Sequence, residues 1–252
     1  MAISDPRFYL VIIGTEILNG RREDAHFDFI KNELLSRGWE LTASFIITDT
    51  PSLIEDVFNL VKKDPKGVMF SFGGIGATPD DFTREIAAKV FRNSQIKQNK
   101  KAKELIIEEF KEKAFPHRIK MANLPINCDL LLNPVNNVPG FFLDERYFFV
   151  PGFVKMSHPM IKYALDTFYP KAPKKHRFTI CVEASENDLL DIMKKIPKSV
   201  EFSSLPSIEN KKYKDVISIA SNNKDEAKKW IEFFKKEVEK RGFKYQMDKE
   251  CI

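Results

Sequence analysis

The chain has 252 residues, 43% hydrophobic and 31% charged, which excludes a disordered polymer and leaves room for one large domain or two modest ones. Its 41 basic and 36 acidic side chains give a formal net charge of only +5, and the lysines over 97–113 and 224–241 alternate with glutamates as solvated helix faces do, so no nucleic-acid partner is expected. No apolar run approaches the roughly 20 residues that span a bilayer, and the N-terminus lacks the basic start and long apolar core of a secretory leader, so a cytoplasmic chain without membrane contact is expected.

In chain order, the continuous apolar run 8–14 predicts a strand buried on both faces. Residues 23–37 predict a helix with Phe27, Ile30, Leu34 and Leu35 inward and Gly38 closing it. A second strand is predicted at 41–48, a helix from Pro51 to Lys63 with Leu53, Val57, Leu60 and Val61 inward, and a third strand at 67–72. From Asp80 to about Lys113 the chain reads as helical in two pieces. Strands follow at Val138–Leu143 and Tyr147–Val150, then a helix through Met160–Thr167. Strands alternating with helices at this spacing predict βαβ units, a mostly parallel sheet and helices on both faces, a three-layer α/β domain over 1–170. Residues 171–176, with Pro170 and Pro173 at hand, read as a linker. Over 177–252 the order β-α-β-β-α predicts a small α+β domain of ferredoxin-like kind.

Ligands of an open parallel sheet bind beyond the carboxyl ends of its strands. Three segments lie there: Gly14 to Gly20 with Glu16, Thr48-Asp49-Thr50, and SFGGIGATPDD (71–81). Gly73, Gly74 and Gly76 can turn backbone amides toward an anion without side-chain obstruction. Thr78, Pro79 and Asp81 fit the N-cap, first and third positions of a helix, so Asp81 has a capping role open to it. Asp80 and Asp81 together would repel a bare phosphate unless a divalent cation bridges them, which leaves a metal role equally open. Asp49 is open to a ligand role or to an Asx turn before Pro51. The loop is neither a Walker A motif nor GxGxxG.

Here the residues carry a family resemblance. GTEILNG (14–20), the Asp after strand two, GGIGATPDDFTREIA, KMANLP (120–125), NNVPGFFL (136–143), YFFVPG (147–152) and ICVEASENDL (180–189) resemble the N-terminal half and middle domain of the competence/damage-inducible CinA family. That family shares the molybdopterin-binding fold of molybdenum-cofactor biosynthesis proteins. The likeness covers nearly the whole chain, and the family's C-terminal amidase domain is not expected within these residues. The resemblance implies a phosphorylated ligand with a large flat ring, either a pterin or a nucleotide. It implies phosphate contacts from Gly14, Glu16, Gly73, Gly74, Gly76 and Thr78, catalytic roles for Asp49 and Asp81, and a Mg, Mn or Co ion on Asp80 and Asp81, with Asp49 and Glu16 as further ligands or a water-orienting base. The implied activity is metal-dependent cleavage of a nucleotide pyrophosphate such as ADP-ribose, the alternative being pterin or nucleotide binding without turnover. The family pattern is departed from at Ala25-His26, Ala77, Asn136-Asn137-Val138 and Phe153-Val154-Lys155.

The three cysteines, Cys128, Cys181 and Cys251, form no CxxC pair, and the four histidines have no ligand spacing, so neither a disulfide framework nor a histidine metal centre is expected. His26 reads as a boundary residue of its helix, and Phe141, Phe142, Phe148 and Phe149 as core. Relatives of the fold commonly self-associate, and the Phe-rich strands after Val138 are expected to offer a surface for a second copy in a homo-oligomer.

Overall fold

The computed structural model of the chain describes residues 3, 5–209 and 212–247. Its contacts divide it into two units, Met1–Ala172 and Pro173–Ile252. The first unit opens with β1 (Arg7–Ile13), a short α1 (Thr15–Leu18), α2 (His26–Ser36), β2 (Leu41–Ile47), α3 (Pro51–Lys63), β3 (Gly67–Phe72) and α4 (Thr83–Arg92). It continues with β4 (Ile96–Gln98), α5 (Lys100–Phe110), two 3₁₀ turns, β5 (Asn123–Pro125), β6 (Asp129–Leu131), β7 (Gly140–Leu143), β8 (Tyr147–Val150) and α6 (Val154–Phe168).

A six-stranded sheet runs in the order β2-β1-β3-β8-β7-β6. Its first four strands are parallel, β7 runs antiparallel to β8, and β6 runs antiparallel to β7, which returns β6 to the direction of the first four. Side chains alternate across a strand, so β1 sends Tyr9, Val11 and Ile13 to one face and Phe8, Leu10 and Ile12 to the other. The first face is covered by α3, α4 and α5, the second by α2 and α6. That makes three layers, with both faces of the central strands dry.

The inward stripes of two helices differ from expectation. In α3 the buried residues are Ile54, Val57, Phe58 and Val61, while Leu53 and Leu60 are exposed. The stripe at i, i+3, i+4, i+7 that carries Phe58 removes the most apolar surface from water, and it sets the rotation. In α2 the stripe is His26, Ile30, Leu34, spaced by four, and Phe27 and Leu35 lie outside it. Gly38 does close α2: its N–H bonds Leu35 O and that of Trp39 bonds Leu34 O, a Schellman motif with Gly38 at φ +80°.

Between α4 and α5 the chain is not all helical, because β4 pairs antiparallel with β5. β7 begins at Gly140 instead of Val138, whose N–H is taken by the Asn136 side chain. α6 starts before Pro159, at Val154, anchored by the N–H groups of Met156 and Ser157 on Phe153 O. Phe141, Phe142, Phe148 and Phe149 are buried within the unit itself, so those strands offer no apolar face to a second copy, which corrects the surface expected for self-association.

The second unit comprises β9 (His176–Val182), α7 (Glu186–Met193), β10 (Glu201–Glu209), β11 (Lys212–Ser221), α8 (Lys224–Lys240) and β12 (Tyr245–Met247). Its antiparallel sheet, ordered β10-β11-β9-β12, packs Ile180, Val182, Ile217 and Ile219 against Leu189, Ile231 and Phe234 of the helices. The strand β12 completes the β-α-β-β-α-β order. Ser185 and Asp188 form a capping box at the start of α7. Neither Cys128 nor Cys181 is in a disulfide; Cys181 is buried and Cys128 half-buried at the edge of the core, where burial pushes its thiol up to about 11; Cys251 lies outside the described residues.

Candidate functional site

The strands β1, β2, β3 and β8 end at one edge of the sheet, and the loops that follow them line a cleft of about 530 Å³. β1 delivers Glu16 and Arg22, β2 delivers Asp49, β3 delivers Gly73 through Asp81 except Pro79, and β8 delivers Pro151, Gly152 and Phe153. Phe110 at the end of α5, Arg118 and Met121 from the 3₁₀ segment after it, and Asn133, Asn136 and Val138 close the remaining sides. Every residue expected at the site lines this cleft except Gly14, which is buried beneath it and leaves room for the Glu16 carboxylate to fold over its Cα.

The glycine loop has its shape for steric reasons. Gly74 stands at φ +67°, and a Cβ there would lie 2.3 Å from Thr83 Oγ1. Thr83 locks the loop from below: its Oγ1 donates to Gly73 O at 3.0 Å and its N–H to Gly74 O at 3.0 Å. Gly76 is needed for a different approach, since a Cβ would meet Asp81 Oδ2 at 2.6 Å. Among the described residues, the N–H groups of Gly74, Ile75, Gly76 and Ala77 have no protein acceptor. Successive free amides of this kind form a concavity for an anion.

The capping box expected at Thr78 is a turn instead. Helix α4 begins at Thr83, with Phe82 as its N-cap. Asp81 Oδ2 does accept the Thr78 N–H at 2.7 Å and the Thr78 hydroxyl at 2.5 Å, and Asp81 N–H returns to Thr78 O. The reciprocal pairing is present, but it closes a four-residue turn around Pro79, because Thr83 is already committed to the loop carbonyls. Asp80 is exposed in the same turn, and an exposed carboxyl is ionised near neutrality.

Asp49 is fixed by Thr15: its Oδ2 accepts the Thr15 N–H at 2.9 Å and the hydroxyl at 2.7 Å. Glu16 lies 3.7 Å from Arg22. The described residues contain no group of three or more His, Cys, Asp or Glu side chains able to hold a metal ion. Glu16 and Asp49 therefore do not join Asp80 and Asp81 in one ligand cluster, against expectation. An ion on Asp80 and Asp81 would keep open positions, which suits a hard cation that completes its shell with phosphate oxygens and water.

Several residues of the site carry no sequence signal. Arg22 donates to Gly152 O at 2.9 Å and sits 5.8 Å above the ring of Phe153, which is 62% exposed. Arg118 lies 4.6 Å over the ring of Phe110. Both pairs present cationic and aromatic surface to the cleft, as a flat ring with acidic substituents would need. Beneath Gly152, His26 is 3% exposed and stacks on Phe72, so it is a core residue and not a boundary one. Its Nε2 faces Gly152 O at 3.3 Å and its Nδ1 faces His158 Nε2 at 3.1 Å. A carbonyl only accepts, so the His26 proton is assigned to Nε2, and His158 Nε2–H then donates to the bare Nδ1. The spacing of His26 with Ile30 and Leu34 was the signal that could have placed it inside. Of the departures from the family pattern, Ala77, Asn136, Val138 and Phe153 all line the cleft.

Residues 9–170 match the family model described as "Probable molybdopterin binding domain". Protein Ta0487 of Thermoplasma acidophilum is 29% identical over 157 residues, covering 61% of this chain and 60% of that protein. A CinA-like protein of Syntrophomonas wolfei is 28% identical over 167 residues, covering 63% of this chain and 39% of its own length. The crystal structure of a CinA protein of unknown function from Thermoplasma acidophilum superposes with a TM-score of 0.57 at 28% identity, covering 64% of this chain and 96% of that one. The chain spans less than two thirds of the length of the curated relatives it matches. A family match over well more than half of the chain, on a three-layer fold whose loops build this cleft, makes it a member of the molybdopterin-binding-domain family, similar to the CinA-like proteins.

Proposed function

We propose that the N-terminal unit is a divalent-metal-dependent hydrolase of a nucleotide pyrophosphate, with ADP-ribose as the type of substrate. One observation carries the reading: the loop residues whose amides lack a protein acceptor line one cleft with Asp80 and Asp81. Amides attract a phosphate that the carboxylates repel, and a bridging cation reconciles the two. The amides of Gly74 to Ala77 would bind one phosphoryl group, and Phe153 with Arg22 or Phe110 with Arg118 would hold the ring. Asp80 and Asp81 would hold Mg, Mn or Co, whose charge neutralises phosphate and lowers the pKa of a water. Asp49, immobilised by Thr15, would orient that water. In the reaction the water oxygen bonds to one phosphorus, the bridging P–O–P bond breaks, and the departing phosphate takes the proton.

The test is release of nucleoside monophosphate from ADP-ribose, FAD or NAD with each cation. In an active protein, Asp81→Asn is expected to lower turnover by about 10²-fold or more while costing no more than about 1 kcal/mol of stability. Thr78→Ala, which removes one of the two Thr78 donors to Asp81 Oδ2 but no carboxylate, is expected to lower turnover less than Asp81→Asn does. Wild-type turnover in Asp81→Asn would overturn the assignment. A second reading, binding of a pterin or nucleotide without turnover, is favoured by the four departures from the family pattern that line the cleft. Tight binding of molybdopterin or ADP-ribose without product would select it.

A further inference from the structure

Arg84, in the first turn of α4, is only 5% exposed, and it does not line the cleft. Its Nη1 donates to the carbonyls of Ile75 and Gly76, and its Nε has no hydrogen-bond partner. Among the described residues no carboxylate lies within ion-pair distance of it. Burying a guanidinium without a counterion is costly, and arginine does not escape by losing its proton. The position adds to the cost, because the N-terminal end of a helix already carries positive partial charge. Burial accordingly pushes the Arg84 pKa down, with the charges of Glu85 and Asp81 opposing the shift. A cation kept in such a place has to be offset by what it organises.

The carbonyl contacts show what that is. In a planar trans peptide the N–H points opposite to the C=O. With the Ile75 and Gly76 carbonyls turned onto Arg84, the amides of Gly76 and Ala77 point away from it. Those two residues line the cleft, and their N–H groups have no protein acceptor. We infer that Arg84 is a positioning residue for the phosphoryl site: it holds the loop carbonyls down so that the Gly76 and Ala77 amides face the ligand, and its buried charge is completed by the negative charge of the bound phosphoryl group. The inference rests on the phosphate-binding reading of the loop and adds the residue that sets its polarity. It also accounts for how an anion approaches a cleft that holds Asp80 and Asp81, since the loop behind it is backed by a fixed cation.

The experiment titrates ADP-ribose in Mg²⁺ into the full chain and into Arg84→Lys and Arg84→Met, following the backbone amide resonances and the heat of binding. The Gly76 and Ala77 amide signals should move on binding in wild type. Arg84→Met should lose about tenfold or more in affinity together with those shifts, whereas Arg84→Lys, which keeps the charge and one donor, should restore most of both. Amide signals of Gly76 and Ala77 that stay still while wild type binds would overturn the inference, whatever the variants do. So would wild-type affinity in folded Arg84→Met, or an Arg84→Lys protein as defective as Arg84→Met, which would reduce the residue to packing. Absence of ADP-ribose binding by wild type would instead refute the phosphate reading, and the role of Arg84 with it.

Discussion

Acidification should weaken the N-terminal unit through the His26–His158 pair, and replacing His158 should remove much of that sensitivity. Burial first, and the adjacent His26 ring second, push the His158 imidazole down to about 4 from an ordinary 6.5. His26 is also lowered, chiefly by burial and in part by Arg22, with Asp24 and the Gly152 carbonyl opposing. A lowered histidine is neutral in the folded chain while its unfolded counterpart takes up a proton. Stability is therefore complete above about pH 6.5 and declines as the pH falls toward 4. A gap of about 2.5 units corresponds to about 3 kcal/mol if the ring were fully buried. His158 is partly exposed, stacked on Phe29 at 3.6 Å, and solvent screening reduces the figure to about 1–2 kcal/mol. The assay is guanidinium unfolding at pH 7, 6 and 5 in a Trp230→Phe background. Trp39, against Phe8 and bonded to Tyr169 O, then reports the N-terminal unit alone. His158→Gln keeps a polar partner for His26 but does not titrate, and its loss between pH 7 and 5 should be smaller than the wild-type loss by about 1 kcal/mol. Equal losses in the two proteins would refute the reasoning.

Two further outcomes follow from the loop and the sheet. Gly76→Ala should push the Asp81 carboxylate, at 2.6 Å, off its Thr78 donors, costing about 1 kcal/mol in a melt and weakening Mg²⁺–ADP-ribose binding, whereas Gly74→Ala should cost about 2 kcal/mol, since φ +67° and the Thr83 contact are both violated. The Arg7 guanidinium, with Tyr9 OH and the Lys66 amide, holds the Asp64 carboxyl down at about 2 despite its burial. Its contribution is complete above about pH 4 and falls away as the pH drops through 2, so Asp64→Asn should cost about 1–2 kcal/mol at pH 7 and only a small part of that at pH 2, measured by denaturant unfolding.

Local rules were enough for much of the fold. The unbroken apolar run of β1 can only be a strand dry on both faces, Pro51 marks the first residue of α3, and Gly38 ends α2, because each depends on chain chemistry within a few residues. The same holds for the position of the glycine loop after β3 and of Asp49 and Asp81 beyond strand ends, since all of them line the cleft. What local rules do not contain is the partner across the fold. Thr83 is drawn away from a helix cap by the carbonyls of Gly73 and Gly74, so α4 starts later than Thr78 and Pro79 imply. Leu60 and Phe27 lose the inward face to Phe58 and His26 because the sheet selects the stripe that fits it. Arg22 meets Gly152, His26 meets His158 and Arg92 meets Asp144 across more than fifty residues of chain, and no spacing encodes such meetings. Only the packed structure brings four strand ends to one edge, and only there do Asp49, Asp80, Asp81 and the glycine loop come to line one cleft.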